Sequence, residues 1–531
     1  MMTIDADTPL PDDIETAHRL IRALLETLRQ QTHLNDTLQH QLEQLLRRLY
    51  GRKSEKLDPN QLLLFAREIL DAAGPETPPE LETPPEPEPT PAPAKPPVKG
   101  HGRKPLPAGL TRRRVVHDVP PEERLCPDCG GDRGCIGEEV SEQLEYVPAS
   151  MIVLQHVRPK YACKDCQGNV VIAERLPEPI EKGLPGPGLL AHVAVSKYAD
   201  HLPLYRQEGI FKRFGVDLAR STMCSWMAAA AGLLTPIVRA MLKRVLQSEV
   251  IQSDDTSVKV QDHEGKGIKT GRLWNYIGDY NNRFTVYDYT PDHSGDGPKR
   301  VLQGFEGYLQ ADAYTGYDAL FRSGTIVEVG CWMHARRKFY EARTSDPPRS
   351  HLMLAWIVGL YKIEEDAREA RKKHPEWDDA AWHVYRYDLR IKHSTPILET
   401  IRAWLDAERP KVLPKSPLGE AIAYALNHWA ALIRPLEAGF LEIDNGASER
   451  SMKPIALGRK NWLFAGNDEG GKTAATLMSL CTTCKDFGID PFAYLRDVLD
   501  RVSTHPHSRI EELLPDRWKP AQSTDPPGRK G

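Results

Sequence analysis

Gln252-Ser253-Asp254-Asp255-Thr256 lies inside Val250 to Val260, an apolar, β-branched run that reads as a strand. Neighbouring residues on a strand face opposite ways, so Asp254 and Asp255 cannot both serve one site. Downstream, Leu273 to Tyr280 and Phe284 to Tyr289 are short, aromatic and β-branched, with Gly or Asn turns between them, as in an antiparallel meander. Pro298 to Leu302 resembles a short helix. Gly307-Tyr308-Leu309-Gln310-Ala311 is a fourth strand ending at Asp312. Thr325 to Cys331 is a fifth, followed by a helix from His334.

Three hairpin strands followed by alternating strand and helix predict an α/β RNase H-like sheet. Asp254 would lie on its first strand and Asp312 at the end of its fourth, side by side at the centre. A third carboxylate belongs to Asp444-Asn445-Gly446-Ala447-Ser448-Glu449-Arg450, where Glu449 falls on a predicted helix with Asn445 one turn before it. The intervening stretch is helix-like and reads as an all-helical insertion over 342–440. It divides the catalytic core into a first part, 245–341, and a second, 441–503. Three converging carboxylates suit Mg²⁺, which takes hard oxygen ligands. Two such ions about 3.5–4 Å apart activate the attacking oxygen and stabilise the leaving one in phosphodiester chemistry. The expected activity is that of a polynucleotidyl transferase, with Mn²⁺ as the alternative ion.

At 531 residues the chain should hold several domains, and its 27% charged and 40% hydrophobic composition is that of a soluble globular protein. No apolar run approaches the length of a bilayer span and no signal pattern opens the chain, so a cytoplasmic protein without a membrane partner is expected. Nine cysteines do not suggest a disulfide scaffold in a chain this long. The net charge of −4 conceals segregation: residues 74 to 94 carry glutamates without Lys or Arg, whereas 95 to 125 carry eight Lys or Arg against three acids. Phosphate binding answers to such local charge.

The segments before the catalytic core each have their own pattern. Over 10–57, Ile14, Ile21, Leu28, Asn35, Leu42 and Leu49 recur at heptad spacing, with Ala17, Leu24, Gln31, Leu38 and Leu45 as the second series. This is a coiled-coil pattern; Asn35 at an a position fixes register, a dimer being the usual result. Residues 74–107 form a Pro/Glu-rich linker too poor in apolar residues to fold. At its end Arg103 and Lys104 are DNA-binding candidates. Over 110–180 two C-x-x-C knuckles, Cys126/Cys129 and Cys163/Cys166, offer a closed tetrahedral Zn²⁺ site of structural type, a small zinc-ribbon-like module. Val147 to Val157 is the expected strand of the hairpin joining them. Residues 184–235 have helix-turn-helix grammar around Gly215, with Arg220 and Ser221 at the start of the second helix as candidate base or phosphate contacts. Residues 504–531 read as a tail.

Several strings resemble the transposases of the bacterial insertion-sequence-sixty-six family, a branch of the DDE transposases. They are Leu49-Tyr50-Gly51-Arg52-Lys53-Ser54-Glu55-Lys56-Leu57, Gln143-Leu144-Glu145-Tyr146-Val147-Pro148, Arg158-Pro159-Lys160-Tyr161-Ala162-Cys163, Cys331-Trp332-Met333-His334-Ala335-Arg336-Arg337-Lys338-Phe339 and Gly458-Arg459-Lys460-Asn461-Trp462-Leu463-Phe464. The resemblance implies catalytic roles for Asp254, Asp312 and Glu449, although Asp254-Asp255-Thr256 stands where Asp-Glu-Thr is usual and Asn445-Gly446 where Asn-Asn is usual. It implies Mg²⁺-dependent cutting at the terminal inverted repeats of a mobile element, joining of the freed 3′-hydroxyl to target DNA, and companion proteins from the same element. Cys331 and His334 match a C-x-x-H signature of several DDE groups, which places His334 near the active site. Arg336, Arg337, Lys338, Arg459 and Lys460 are candidate phosphate contacts.

Rival readings remain, among them an RNase H-like nuclease with no joining step. Gly466-Asn467-Asp468-Glu469-Gly470-Gly471-Lys472-Thr473 fits the phosphate-binding loop of ATPases, but no apolar strand ending in Asp follows it to hold Mg²⁺. A DNA-binding regulator would keep the coiled coil, knuckles and helix-turn-helix with the carboxylates incidental. Cys481-Thr482-Thr483-Cys484, alone on a helix-like run, reads as packing.

Overall fold

The computed structural model describes residues 177–181, 183–262, 267–322 and 324–520, together with 151–157, 160–161, 171–172 and the positions Glu15, His18, Arg22, Leu25 and Glu26. Those N-terminal positions are helical and exposed. The a and d positions of the heptad pattern lie outside the described residues, as do the 74–107 linker, Arg103, Lys104 and the four knuckle cysteines.

Two compact units divide the chain, residues 76–172 and the remainder. In the smaller, β1 (Lys160–Tyr161) pairs antiparallel with β2 (Val171–Ile172), Lys160 opposite Ile172. This hairpin brackets Cys163 and Cys166 in sequence. The strand expected over Val147 to Val157 is not formed at 151–157, where Ile152, Leu154 and Val157 are exposed and Val153 is 88% exposed. An apolar run becomes a strand only where a neighbour completes its ladder. Here the pairing is made by the residues flanking the second knuckle.

The larger unit opens with helices α1 (Pro187–Tyr198), α2 (Leu204–Arg213) and α3 (Arg220–Val245). Gly215, at φ 77°, takes the left-handed turn between α2 and α3. α3 runs unbroken through residue 235 to Val245, because Met223, Met227, Ala230, Leu234, Ile237, Met241 and Val245 recur at helical spacing and are all buried. Among the described residues it is the one helix long and apolar enough to cross a membrane, contrary to the expectation that no run approaches that length. Its apolar face is instead spent on the protein core.

A mixed sheet follows: β3 (Val250–Asp262), β4 (Gly267–Ile277), β5 (Thr285–Thr290), β6 (Gly307–Gln310) and β7 (Ile326–Val329), in the order β5-β4-β3-β6-β7. β3, β4 and β5 form the antiparallel meander; β6 and β7 join β3 in parallel. Parallel neighbours need crossovers, and α4 (Asp296–Val301) and α5 (Asp318–Phe321) lie on them. After α6 (Trp332–Ala342) come α7 (Pro347–Lys373), α8 (Asp379–Leu389), a π-helical turn at Arg390–Ser394, α9 (Thr395–Glu408), α10 (Pro417–Asn427) and α11 (Trp429–Ile433). Of these, α7, α9, α10 and α11 share a second apolar core with α6, through Phe339, Met353, Ile357, Leu360, Ile401, Leu405, Ile422 and Leu432.

The chain then returns to the sheet as α12 (Gly446–Trp462), α13 (Asp468–Asp486) and α14 (Pro491–Arg501). α13 covers the β5 edge. The Ser479 and Thr483 hydroxyls accept from the amides of Tyr287 (2.8 Å) and Thr285 (3.1 Å), satisfying donors that an open edge would present. Gly471 permits the approach: a Cβ there would lie 2.5 Å from Tyr289. The start of the expected tail also packs. Leu513 and Leu514 are buried, and Tyr494 donates to the Leu513 carbonyl at 2.6 Å.

Candidate active site

The register of β3 and β6 decides where the first two carboxylates fall. Gln252 is opposite Gln310, and two residues beyond each come Asp254 and Asp312, at the same level of the sheet. Below them the Gln252 amide donates to the Gln310 side-chain oxygen at 3.1 Å, and the Gln310 amide donates to the Glu442 carbonyl at 2.7 Å. Both glutamines are buried. They tie the segment entering α12 to the sheet, and Ser448 N–H donates to the Gln252 side chain at 3.3 Å.

Asn275 on β4 completes this attachment. It is fully buried. Its side-chain oxygen accepts from the Asp254 amide at 2.8 Å and the Ser448 hydroxyl at 2.5 Å, and its amide donates to the Ser448 carbonyl at 2.9 Å and to Ser451 Oγ. One side chain thus ties the strand bearing Asp254 to the helix bearing Glu449. Asp444 shapes the first turn of that helix, accepting from Gly446 N–H at 2.8 Å and from the Tyr361 hydroxyl of α7 at 2.7 Å. Asn445, the N-cap residue, is buried and points to the Ser253 carbonyl (3.4 Å).

The electrostatics follow from this crowding. Burial, with Asp312 and Glu449 as neighbouring like charges, pushes the Asp254 carboxyl up to about 7, against one opposing bond from the Asp255 amide. Burial also raises Asp312. Asp255 is engaged elsewhere, 2.8 Å from Arg272 and 3.1 Å from His293. Its carboxylate already has a cationic partner in Arg272, whereas that of Asp254 faces Asp312 and Glu449. This distinguishes the two neighbours that sequence alone leaves open.

α6 supplies the remaining wall. His334 Nε2 lies 3.7 Å from Glu449, and burial lowers its pKa, favouring neutral imidazole. Cys331 Sγ, His334 and Glu449 present ligand atoms within 4.8 Å of one another. Burial pushes the Cys331 thiol up to about 12, although it receives backbone N–H groups from Asn445 and His334. A half-buried cluster in which Asp312 and Glu449 raise Asp254 is a donor set that a hard divalent cation fits, since its charge reverses the repulsion. The residues that would hold it are Asp254, Asp312 and Glu449.

The basic candidates divide. Arg220 and Ser221 are exposed at the start of α3, and Lys460 is exposed on α12. Arg336, Arg337 and Lys338 are half-buried on α6, with the Lys338 ammonium 5.3 Å over the Tyr424 ring. Arg459 is not spread toward solvent: its guanidinium donates to the Ser257 carbonyl and, at 3.1 Å, to the Ser257 hydroxyl. That fork is spent on the β3 backbone. The sequence reading missed Asn275, Ser448, Ser451 and the supporting roles of Gln252 and Gln310. Polar side chains in otherwise apolar strands were the available signal.

It also missed Glu364, Arg386 and Arg390, all buried. Arg386 reaches Glu364 at 2.6 Å and Glu442 at 2.6 Å; Arg390 binds Glu364 at 2.6 Å and the carbonyls of Pro435 and Leu441 at 2.8 Å each. The cluster grips the segment just before α12. By contrast, Gly466 to Thr473 forms no phosphate cradle. α13 begins at Asp468, Asn467 caps it through Gly470 N–H at 2.8 Å, and Lys472 pairs with Glu469 at 2.7 Å. Cys481 and Cys484 are buried in the core.

Comparison with known proteins agrees with this arrangement. The family model described as "Transposase IS66 family" matches residues 182–473, and "IS66 C-terminal element" matches 479–515. The "zinc-finger binding domain of transposase IS66" matches 123–167, which holds all four knuckle cysteines. "Transposase C of IS166 homeodomain" matches 37–115. Among similar proteins of Sinorhizobium fredii (strain NBRC 101917 / NGR234), "Uncharacterized protein y4hP" is 32% identical over 524 residues, 92% of this chain and 89% of the relative. "Uncharacterized protein y4qI" is 36% identical over 499 residues, covering 90% and 88%. "Uncharacterized protein y4jD" is 35% identical over 432 residues, covering 78% and 82%.

Proposed function

The chain belongs to the IS66 transposase family, and from that premise we propose that it is a DDE transposase that cuts the ends of its insertion sequence and joins them to target DNA with Asp254, Asp312 and Glu449 as its catalytic carboxylates. One observation carries the reading: the residues two positions beyond the paired glutamines of adjacent strands, and the first turn of α12, bring three half-buried acids close enough that Asp312 and Glu449, with burial, raise Asp254 to about 7. The strand order β5-β4-β3-β6-β7, with three antiparallel strands and two parallel ones, supports the RNase H-like reading of 245–341 and 441–503, with 342–440 as the helical insertion.

When bound, a pair of Mg²⁺ ions, or Mn²⁺ in their place, supplies Lewis acidity to the attacking and leaving oxygens of the phosphodiester. The protein's part is to hold the acids. Asp254 is fixed by the hydrogen bond from its amide to Asn275, Asp312 by the Tyr314 N–H in the segment just beyond β6, and Glu449 by the anchoring of α12 through Asn275, Ser448 and the paired glutamines. His334, neutral and beside Glu449, limits how far that carboxylate can turn.

DNA is the partner. Within it we assign terminal-repeat and target contacts to Arg103, Lys104, Arg220, Ser221, Arg336, Arg337, Lys338 and Lys460; Arg459 serves the fold. Cys126, Cys129, Cys163 and Cys166 hold one structural Zn²⁺, and 10–57 forms a coiled-coil dimer. Companion proteins of the same element join the active complex. The test is end cleavage and strand joining on a labelled fragment carrying an element end, with Mg²⁺ and without ATP. Wild type should produce nicked and joined products and Glu449→Gln none. Equal activity in both would remove Glu449 from the site, and specific binding without activity, even with the companion proteins added, would favour a regulator.

A further inference from the structure

α12 carries an exposed stripe that leads away from Glu449. Arg450, Lys453, Leu457 and Lys460 are exposed, whereas Ser448, Met452, Ile455 and Gly458 are buried on the other side. At about 100° per residue the exposed four fall on the face that also bears Glu449. No acid follows Glu449 on this helix, and Arg450, Lys453 and Lys460 form no ion pair among the described residues. A helix face with unpaired cations suits a phosphate backbone, and it begins at the catalytic carboxylates.

The stripe ends in a feature that charge alone does not require. Leu463, the C-cap residue, sits at φ 59°, ψ −50°, in the left-handed half of conformational space that a branched side chain avoids. Leu463 is 62% exposed and Phe464 is 44% exposed. The backbone is held on both sides of them. Ala465 N–H donates to the Lys259 carbonyl at 2.8 Å and the Ala465 carbonyl accepts from Gln261 at 2.9 Å, while Leu463 N–H closes on Arg459 at 3.0 Å. Arg459 is itself bonded to Ser257. Strain persists only where its surroundings over-determine it, and here both flanks are pinned to β3 while two apolar side chains project outward.

We propose that Leu463 and Phe464 form a wedge that stacks against an unpaired base of DNA lying along α12, on the reading that Glu449 marks the cutting site. Apolar side chains that insert at a base step, flanked by cations on the backbone, are a known means of opening a duplex. From Glu449 to Leu463 the helix rises about 21 Å, roughly six base steps at 3.4 Å each. The wedge therefore disturbs the duplex about six base pairs from the cut. That opening is local and fixed in position, set by the length of α12.

The experiment uses the full chain and element-end duplexes carrying 2-aminopurine at successive positions, in Ca²⁺, with fluorescence and affinity as readouts. Wild type should brighten the probe several-fold at about the sixth pair from the cut and not at its neighbours. Phe464→Ala should remove the brightening and weaken binding by about tenfold, the scale of one lost base–aromatic stack. A duplex already mismatched at that pair should restore the affinity. Leu463→Gly, which suits the left-handed backbone and so keeps the fold, should likewise lose the brightening and weaken binding. Glu449→Gln should keep the brightening while losing cleavage, which separates this proposal from the catalytic one. No brightening at any position in wild type, or an unchanged profile in both wedge variants, overturns it. So does a drop in oligomer mass on Phe464→Ala, which would give the patch to a second copy of the chain.

Discussion

At the scale of single residues, Asp254 and Asp255 show how a fold separates neighbours of the same chemistry. The alternation of a strand was legible, but the different partners of the two side chains were not, because Arg272 and His293 come from β4 and from the loop after β5. The raised Asp254 carboxyl makes a pH prediction. Its ordinary value is 3.8 and its folded value about 7, so between these the folded, metal-free protein keeps a proton that the unfolded chain has lost. Metal-free stability should therefore fall as pH rises through that window and level off above about 7. Because the ion displaces that proton, the rise in thermal midpoint on adding Mg²⁺ should be larger at pH 8 than at pH 5.5. Asp254→Asn should flatten both trends; a Mg²⁺ effect independent of pH would contradict the assignment. Asn275→Ala orphans the hydroxyls and amide it now satisfies and should cost about 1–3 kcal/mol in chemical denaturation. It should also lower kcat by loosening Asp254 against Glu449, a loss that an equally destabilising substitution in the insertion core would not reproduce.

At the scale of elements, the strands and their order were readable from short β-branched runs and turn residues, with boundaries shifted by a few positions. Strand β4 starts at Gly267 rather than Leu273 because its pairing with β3 continues to Asp262 opposite Gly267. The phosphate-loop string was readable only as a rival, since its Gly471 serves packing against Tyr289. Gly471→Ala should cost about 1–3 kcal/mol, as overpacking does, because the new methyl would strike Tyr289. A neutral result by denaturation would show that α13 can shift. The Glu364–Arg386–Arg390 cluster was invisible in sequence, where charges on helices read as solvated. Removing one partner of a buried ion network costs about 3–5 kcal/mol. Arg386→Met should therefore destabilise the insertion by that order, and should lower end cleavage too, because the gripped segment leads directly to α12. Full activity in a destabilised variant would confine the cluster to the insertion.

At the scale of the whole molecule, the sequence marks its expected modules by sharp changes in composition. Proline and glutamate mark the linker and paired cysteines mark the zinc module. What sequence did not reveal is continuity: one apolar core runs from Leu190 in α1 through α3 and the sheet to Leu514. Periodicity reports which face of a helix is buried, not against what. The zinc module is a separate compact unit, so chelation should release one Zn²⁺ per chain and leave the thermal transition of the catalytic unit within about 1 °C, a shift smaller than the several degrees that 1 kcal/mol produces in a domain. A large downward shift would place zinc in the stability of the whole chain. The proposed chemistry requires that the three carboxylates form one shared divalent-cation centre. Mn²⁺ titration of the full chain by calorimetry, in wild type and in Asp254→Asn, Asp312→Asn and Glu449→Gln, tests that most directly. Binding should weaken at least tenfold in each variant, with folding and zinc content retained; Mn²⁺ binding unchanged in any one of them would contradict the shared site.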